Sequence, residues 1–175
     1  MQIALIFIER IVPGFNELIK AVESTFHARI TTATIDLPMT RSFRKERQQY
    51  NAAVLLHDLL KFCALPADKM VFIIREDMYV EDLNFVFGLA VKDVCIVSTA
   101  RLDPRFYGEK DMKKAKRLFN DRVIKEVIHE IGHTMGYGHC RNRKCVMTFS
   151  NTMEDVDFKG KEFCKKCKKP STDYL

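Results

Sequence analysis

The stretch His129-Glu130-Ile131-Gly132-His133-Thr134-Met135-Gly136-Tyr137-Gly138-His139-Cys140 holds three of the chain's five histidines and three of its seven glycines. It closes a helical pattern. From Asp111 to Met135 the apolar positions Ala115, Leu118, Val127, Ile131 and Met135 recur at helical spacing, with Ile124 and Ile128 beside them. His129 and His133 are one helical turn apart, so both imidazoles leave the same face and can bind one metal ion. Zn²⁺ suits nitrogen ligands at roughly 2.0–2.1 Å and keeps a position open for water in catalytic sites. Glu130 lies about 100° further round the helix, where a general base can border a metal without binding it. Gly136 can take the left-handed conformation that ends a helix, and the returning chain brings His139 to the third position. H-E-x-x-H-x-x-G-x-x-H is far more specific than a helical histidine pair.

Downstream come Cys140, Cys145, Cys164 and Cys167, four of the six cysteines. Two close pairs separated by a loop suit a tetrahedral Cys₄ structural zinc. The scattered apolar residues after Gly136 are too few for a core of their own, and a metal can supply the folding energy that burial there cannot. A disulfide framework is the alternative; with no export signal at the N-terminus, a reducing cytoplasm disfavours it. Cys63 and Cys95 fall inside apolar patterns and read as buried small side chains. Because His139 and Cys140 are adjacent and an extended chain alternates its side chains, one piece of backbone can serve two metals.

Upstream, strand and helix patterns alternate. Ile3–Ile8 is an apolar run suited to burial on both faces. Pro13-Gly14 follows, then a helical repeat at Phe15, Leu18, Ile19, Val22 and Phe26. Ile30–Ile35 reads as a second strand ending before Pro38, Ser42–Phe62 as a helix with Tyr50, Val54, Leu55, Leu59 and Phe62 on one stripe, and Met70–Ile74 as a third strand. Asn84–Val91 and Val94–Ala100, split by Lys92-Asp93, predict a hairpin that adds one antiparallel strand to an otherwise parallel sheet.

At 175 residues, with 47% hydrophobic and 30% charged residues, the chain is sized and composed for one globular domain. No apolar run reaches the ~20 residues that span a bilayer, and Met1–Glu9 reads as a first strand rather than a signal peptide. The formal charge is +6, and Lys159 to Lys169 hold six lysines against Glu162 alone. Such a tail could touch nucleic acid, but no aromatic stacking series accompanies it.

The extended histidine string resembles that of the metzincin clan of zinc metallopeptidases; joined to the four cysteines, it is similar to that of the archaemetzincins. The resemblance implies an α/β catalytic domain over 1–175, with a mixed twisted sheet carrying one antiparallel edge strand, an active-site helix and a small zinc-stapled C-terminal subdomain (1–136 and 137–175). It implies that Met147, eight residues after His139, packs beneath the histidines as a Met-turn. It makes Asn84, Phe85, Val86, Phe87 and Gly88 part of an edge strand to which an extended peptide can add. Phe149 stands where some of the clan carry a metal-binding tyrosine, so no fifth ligand is expected there. A short C-terminal helix is expected over Lys161–Lys169. The expectation is a cytoplasmic, monomeric peptidase with two Zn²⁺, in which Glu130 assists attack of zinc-bound water on a peptide bond. The rival readings are a zinc protein that binds peptide or protein at the same cleft without cutting it, and nucleic-acid binding through the basic cysteine tail. Whether Arg101–Lys110 occludes the site is left open by the sequence.

Overall fold

A computed structural model describes residues 1–9, 15–36, 41–63 and 65–168. The expectations at Pro13-Gly14, Pro38 and Lys169 lie outside the described residues. In chain order the elements are β1 (Gln2–Ile8), α1 (Phe15–Phe26), β2 (Arg29–Ile35), β3 (Phe43–Arg44), β4 (Gln49–Asn51), α2 (Ala52–Phe62), β5 (Lys69–Ile74), β6 (Met78–Tyr79), β7 (Gly88–Val91), β8 (Val94–Ser98), a 3₁₀ turn at Pro104–Tyr107, α3 (Met112–Thr134) and α4 (Met153–Phe158).

The main sheet runs β2-β1-β5-β8-β7. β1 pairs in parallel with β2 and β5, and β5 with β8. β7 returns antiparallel on β8, from Val91 opposite Val94 to Gly88 opposite Val97, and forms the edge. This is the mixed sheet with one antiparallel edge that the sequence predicts, and Lys92 takes a left-handed φ of 53° at the turn. The unbroken apolar character of β1 follows from its place inside the sheet. Ile3, Leu5 and Phe7 face one core with Val71, Ile73, Cys95 and Val97; Ala4, Ile6 and Ile8 face another with Phe72, Ile74 and Ile96. Each fully buried aliphatic side chain contributes roughly 1.5–3 kcal/mol, so β1 anchors both layers. α1 and α3 cover the first face and α2 the second. Among the described residues no helix is long and apolar enough to cross a membrane.

Three expectations are corrected. Ser42–Phe62 is not one helix: its first half is β3 and β4, which join β6 in a small three-stranded sheet. The helix starts only at Ala52, where the Asn51 side chain accepts from the Val54 N–H. Tyr50 therefore lies on β4, Phe62 is 67% exposed, and the buried face is Ala52, Leu55, Leu56 and Leu59. Of Asn84–Val91 only Gly88–Val91 is strand; upstream, Val86 makes a lone bridge to Met78 while Phe87 turns into the core. No helix spans Lys161–Lys168, which forms turns. The C-terminal helix is α4 instead, opened by a reciprocal capping box between Thr152 and Asp155.

The segment after Gly136 does not lack apolar support. Cys145, Val146, Met147, Val156 and Phe163 are buried in the same cluster as α1 and α3. Charged contacts add to the joint. Arg122 of α3 grips Asp157 with two hydrogen bonds of 2.7 Å. Lys125 reaches the Val156 and Asp157 carbonyls at 3.0 and 3.2 Å and Asp121 at 2.7 Å, and Lys161 meets Asp121 at 2.8 Å. Lys159, fully buried, contacts Glu126 at 2.7 Å. Part of the basic tail is thus spent inward, with Lys168 also paired to Glu162.

Candidate active site

α3 is buried on every side between Arg122 and Gly132, so the chain passes its chemistry through the interior. It ends in a Schellman turn. Gly136 takes a φ of 85°, its N–H donates to the His133 carbonyl, and the Tyr137 N–H donates to the Gly132 carbonyl. This is the reversal expected from Gly136, and it returns His139 to the helix. One nitrogen from each of His129, His133 and His139 lies within 4.8 Å of the others. His129 Nδ1 donates to the Val146 carbonyl and His133 Nδ1 to the Tyr137 carbonyl, both at 2.8 Å. Those bonds fix the tautomer, leaving both Nε2 atoms as lone-pair acceptors. The two Nε2 atoms are 3.0 Å apart. Facing lone pairs at that distance repel unless a cation lies between them; tetrahedral Zn–N bonds of 2.0–2.1 Å would set them about 3.3 Å apart. Burial lowers the pKa of all three histidines, His129 most strongly, so the neutral, ligating form dominates. The donor set fits Zn²⁺.

Glu130 lines the same cleft as these histidines. Burial pushes its carboxyl up to about 8, with the Glu126 charge adding and Lys159 opposing. Two glycines make room that the sequence does not announce. A Cβ on Gly88 would stand 2.5 Å from Glu130 Cγ, so β7 crosses directly over the carboxylate. A Cβ on Gly132 would stand 2.4 Å from Met147 Sδ, which packs fully buried against α3 between the two helical histidines. Met147 therefore meets α3 at Gly132, one residue before His133. The carbonyl of neighbouring Val146 holds His129, so one short segment both supports the helix and orients one of the three converging imidazoles.

The cleft, about 440 Å³, is walled by Phe85, Val86, Phe87 and Gly88, with Leu89 and Ala90 of β7, and on the other side by Phe149, Ser150 and Asn151. Asn84 is not in the lining; its carbonyl accepts from Arg47 and Gln49. Nor is any residue of Arg101–Lys110, several of which line a separate cavity on the far side of the 3₁₀ turn. Phe149 lies with its ring 5.0 Å from that of His139. Glu126, Ser150 and Asn151 were missed in the sequence. Glu126 alone left a signal, one turn before Glu130 on the same helix.

The sulfurs of Cys140, Cys145, Cys164 and Cys167 also gather within 4.8 Å. Cys140 Sγ and Cys164 Sγ are 3.8 Å apart, far beyond a disulfide and close to the roughly 3.8 Å between sulfurs of a tetrahedron with 2.3 Å Zn–S bonds. The backbone N–H of Cys167, with that of Lys166 helping against desolvation, holds the Cys164 thiol down at about 6. Cys164 N–H in turn donates to Cys145 Sγ at 3.3 Å. Such N–H···S bonds favour thiolate, the ligating form. His139 joins the nitrogen set and Cys140 the sulfur set. Cys63 and Cys95 are buried in the core, as expected.

Known proteins resemble this chain in sequence and in fold. The model for "Peptidase family M54" matches residues 6–171. The archaemetzincin of Sulfolobus acidocaldarius is 47% identical over 126 residues, covering 71% of this chain and 70% of that protein; that of Saccharolobus islandicus strain L.S.2.15 is 45% identical over 132 residues, covering 75% and 69%. Crystallised archaemetzincin from Methanopyrus kandleri superposes with a TM-score of 0.80 at 33% identity, covering 95% of this chain and 91% of that one. A structure described as a zinc-dependent peptidase from Methanocorpusculum labreanum gives 0.81 at 30% identity, covering 95% and 97%. The molecule is a zinc metallopeptidase. Within that class it belongs to peptidase family M54.

Proposed function

We propose that His129, His133 and His139 hold the catalytic Zn²⁺ of this peptidase, that Glu130 is its general base, and that Cys140, Cys145, Cys164 and Cys167 hold a second, structural Zn²⁺. When bound, the catalytic ion supplies Lewis acidity, lowering the pKa of water and polarising the scissile carbonyl. The chain's own residues do the rest. The Val146 and Tyr137 carbonyls orient the two helical imidazoles; Glu130 accepts the proton of the attacking water and returns it to the leaving amine; the apolar walls from Phe85 and Phe149 exclude bulk water. The free edge of β7 offers main-chain groups to an extended substrate, which would bind as an added antiparallel or parallel strand. The observation that carries this reading is the shared cleft, in which three converging histidine rings and one buried carboxyl lie beside an open strand edge.

The same reading divides the domain functionally at Gly136 into a scaffold that carries two histidines and a zinc-held segment that delivers the third. It takes the protein to work as a cytoplasmic monomer of the metzincin clan, a compartment supported by thiols held at ligand rather than disulfide spacing. Metal counting on the purified chain, combined with digestion of a peptide library by wild type and Glu130→Ala, tests it. Two zincs per chain and cleavage lost in Glu130→Ala with both zincs retained are expected. A single zinc, or cleavage that survives the substitution, overturns it.

A further inference from the structure

Among the described residues three buried side-chain polar atoms lack a hydrogen bond of good geometry: Ser150 Oγ, and Glu126 Oε1 and Lys159 Nζ, which meet each other as an ion pair. Folded proteins leave few such atoms, and each calls for an explanation. Here two of the three residues border one cleft. Glu126 and Ser150 both line the cleft that contains the histidines and Glu130. Lys159 Nζ stands 2.7 Å from Glu126 Oε1, with its side chain wholly excluded from solvent and that of Glu126 only 3% exposed. The contact neutralises charge without satisfying either group's hydrogen-bonding capacity, since a carboxylate has about four lone-pair sites and an ammonium three donors. No lysine or arginine lines the cleft, and its remaining walls are largely apolar.

We propose that Glu126, backed by Lys159, and Ser150 form a polar specificity subsite that receives a substrate side chain flanking the scissile bond and selects a neutral hydrogen-bonding one: glutamine, asparagine, serine or threonine. This rests on the peptidase reading of the same cleft. The charge of Glu126 is already matched by Lys159, so an acidic side chain finds no free cation there, and a basic one competes with Lys159 for an occupied partner. An apolar side chain of equal size leaves Glu126 Oε1 and Ser150 Oγ as poorly partnered as they are in the free protein, whereas a hydrogen-bonding one supplies a partner. A site built to hydrogen-bond a substrate group discriminates against the analogue that lacks it by about tenfold or more.

Near-isosteric peptide pairs separate this from shape selection. Host peptides carrying Gln or Met, and Thr or Val, next to the cleaved bond are compared by kcat/KM with wild type, with Ser150→Ala and with the double variant Glu126→Leu/Lys159→Met, which removes the pair without stranding a charge. Wild type should favour Gln over Met and Thr over Val by about tenfold or more. Ser150→Ala should reduce the ratios, and the double variant should bring them to within about threefold of unity while retaining both zincs. A pair that merely braced α3 would alter stability and leave the ratios at the wild-type value, which overturns the proposal, as does a wild type indifferent to the isosteres. If wild type cuts no peptide, the peptidase reading of the cleft fails separately. The same pairs are then titrated against zinc-loaded Glu130→Gln, where equal dissociation constants for Gln and Met peptides overturn the subsite and a tenfold difference supports it.

Discussion

Alanine at position 88 places one methyl group against the carboxyl assigned as general base. The added carbon would stand 2.5 Å from Glu130 Cγ and 2.6 Å from both Cδ and Oε1, where non-bonded carbons prefer about 3.5–4.0 Å. Relief requires a displacement of about 1 Å. Gly88 cannot supply it freely, because its strand is paired with β8 through Val97, and Glu130 is itself buried on α3. The carboxyl must therefore leave its place or the edge strand must bulge outward. A misplacement of that size at a reacting group costs about 10²-fold in rate, and overpacking of one methyl typically costs about 1–3 kcal/mol of stability. For a domain of this length that is a fall of about 2–12 °C in Tm. The nitrogen donors proposed for zinc come from α3 and from His139, not from β7, so metal content should stay at the wild-type value. Kinetics on a fluorogenic peptide, zinc analysis and a thermal melt give the three readouts. The expected result is kcat down about 100-fold, two zincs, and a modestly lowered Tm. Gly138→Ala is the matched control, since a Cβ there meets nothing within 4 Å. A Gly88→Ala enzyme with kcat within twofold of wild type would falsify the claim that β7 defines the position of Glu130.

Three other substitutions probe the supports of the site. Gly132→Ala gains about 1 kcal/mol of helix propensity but drives a methyl into Met147 Sδ, so urea titration should give a net loss of up to about 2 kcal/mol and competition with a chelator should show weaker zinc binding. Cys140→Ser should weaken zinc at the histidine site as well as at the sulfur site, because His139 is its neighbour; unchanged affinity at the histidine site would separate the two centres. Lys159→Met strands the Glu126 charge in the interior and should destabilise by about 3–5 kcal/mol, whereas adding Glu126→Leu should restore most of that loss in the same denaturation assay.

The ligands were legible because their chemistry is local. His129 and His133 are one turn apart, Gly136 follows at the helix end, and the cysteines come in close pairs, so spacing alone brings the atoms near one another. β1, β5 and the β7–β8 hairpin were legible for a related reason, as apolar runs interrupted by turn residues, and β2 by its β-branched, threonine-rich composition. What escaped depends on distant parts of the chain. Gly88 matters only because Glu130, on another element, passes beneath it, and nothing in its own neighbourhood in the sequence signals that contact. Lys159 looks like one member of a solvated basic tail until α3 closes over it. Ser42–Phe62 misled because it contains no glycine or proline; the reversal before β4 is carried by Gln48 in a left-handed conformation, a role that residue type does not advertise. Asn51, by contrast, is a helix-capping residue type whose cue was present and overridden by the apolar stripe around it.

The junction between His139 and Cys140 also bears on how such a molecule is completed. Two of the nitrogen donors are preset on a helix that the core can hold by itself, but the third arrives only when the final segment settles against that helix. That segment contains the remaining thiols, the last ligands to leave the ribosome. A nascent chain that has not yet made that segment therefore presents the helical histidine pair without its third partner. The complete donor set is in that sense a late product of synthesis, dependent on residues that follow the helix in the chain.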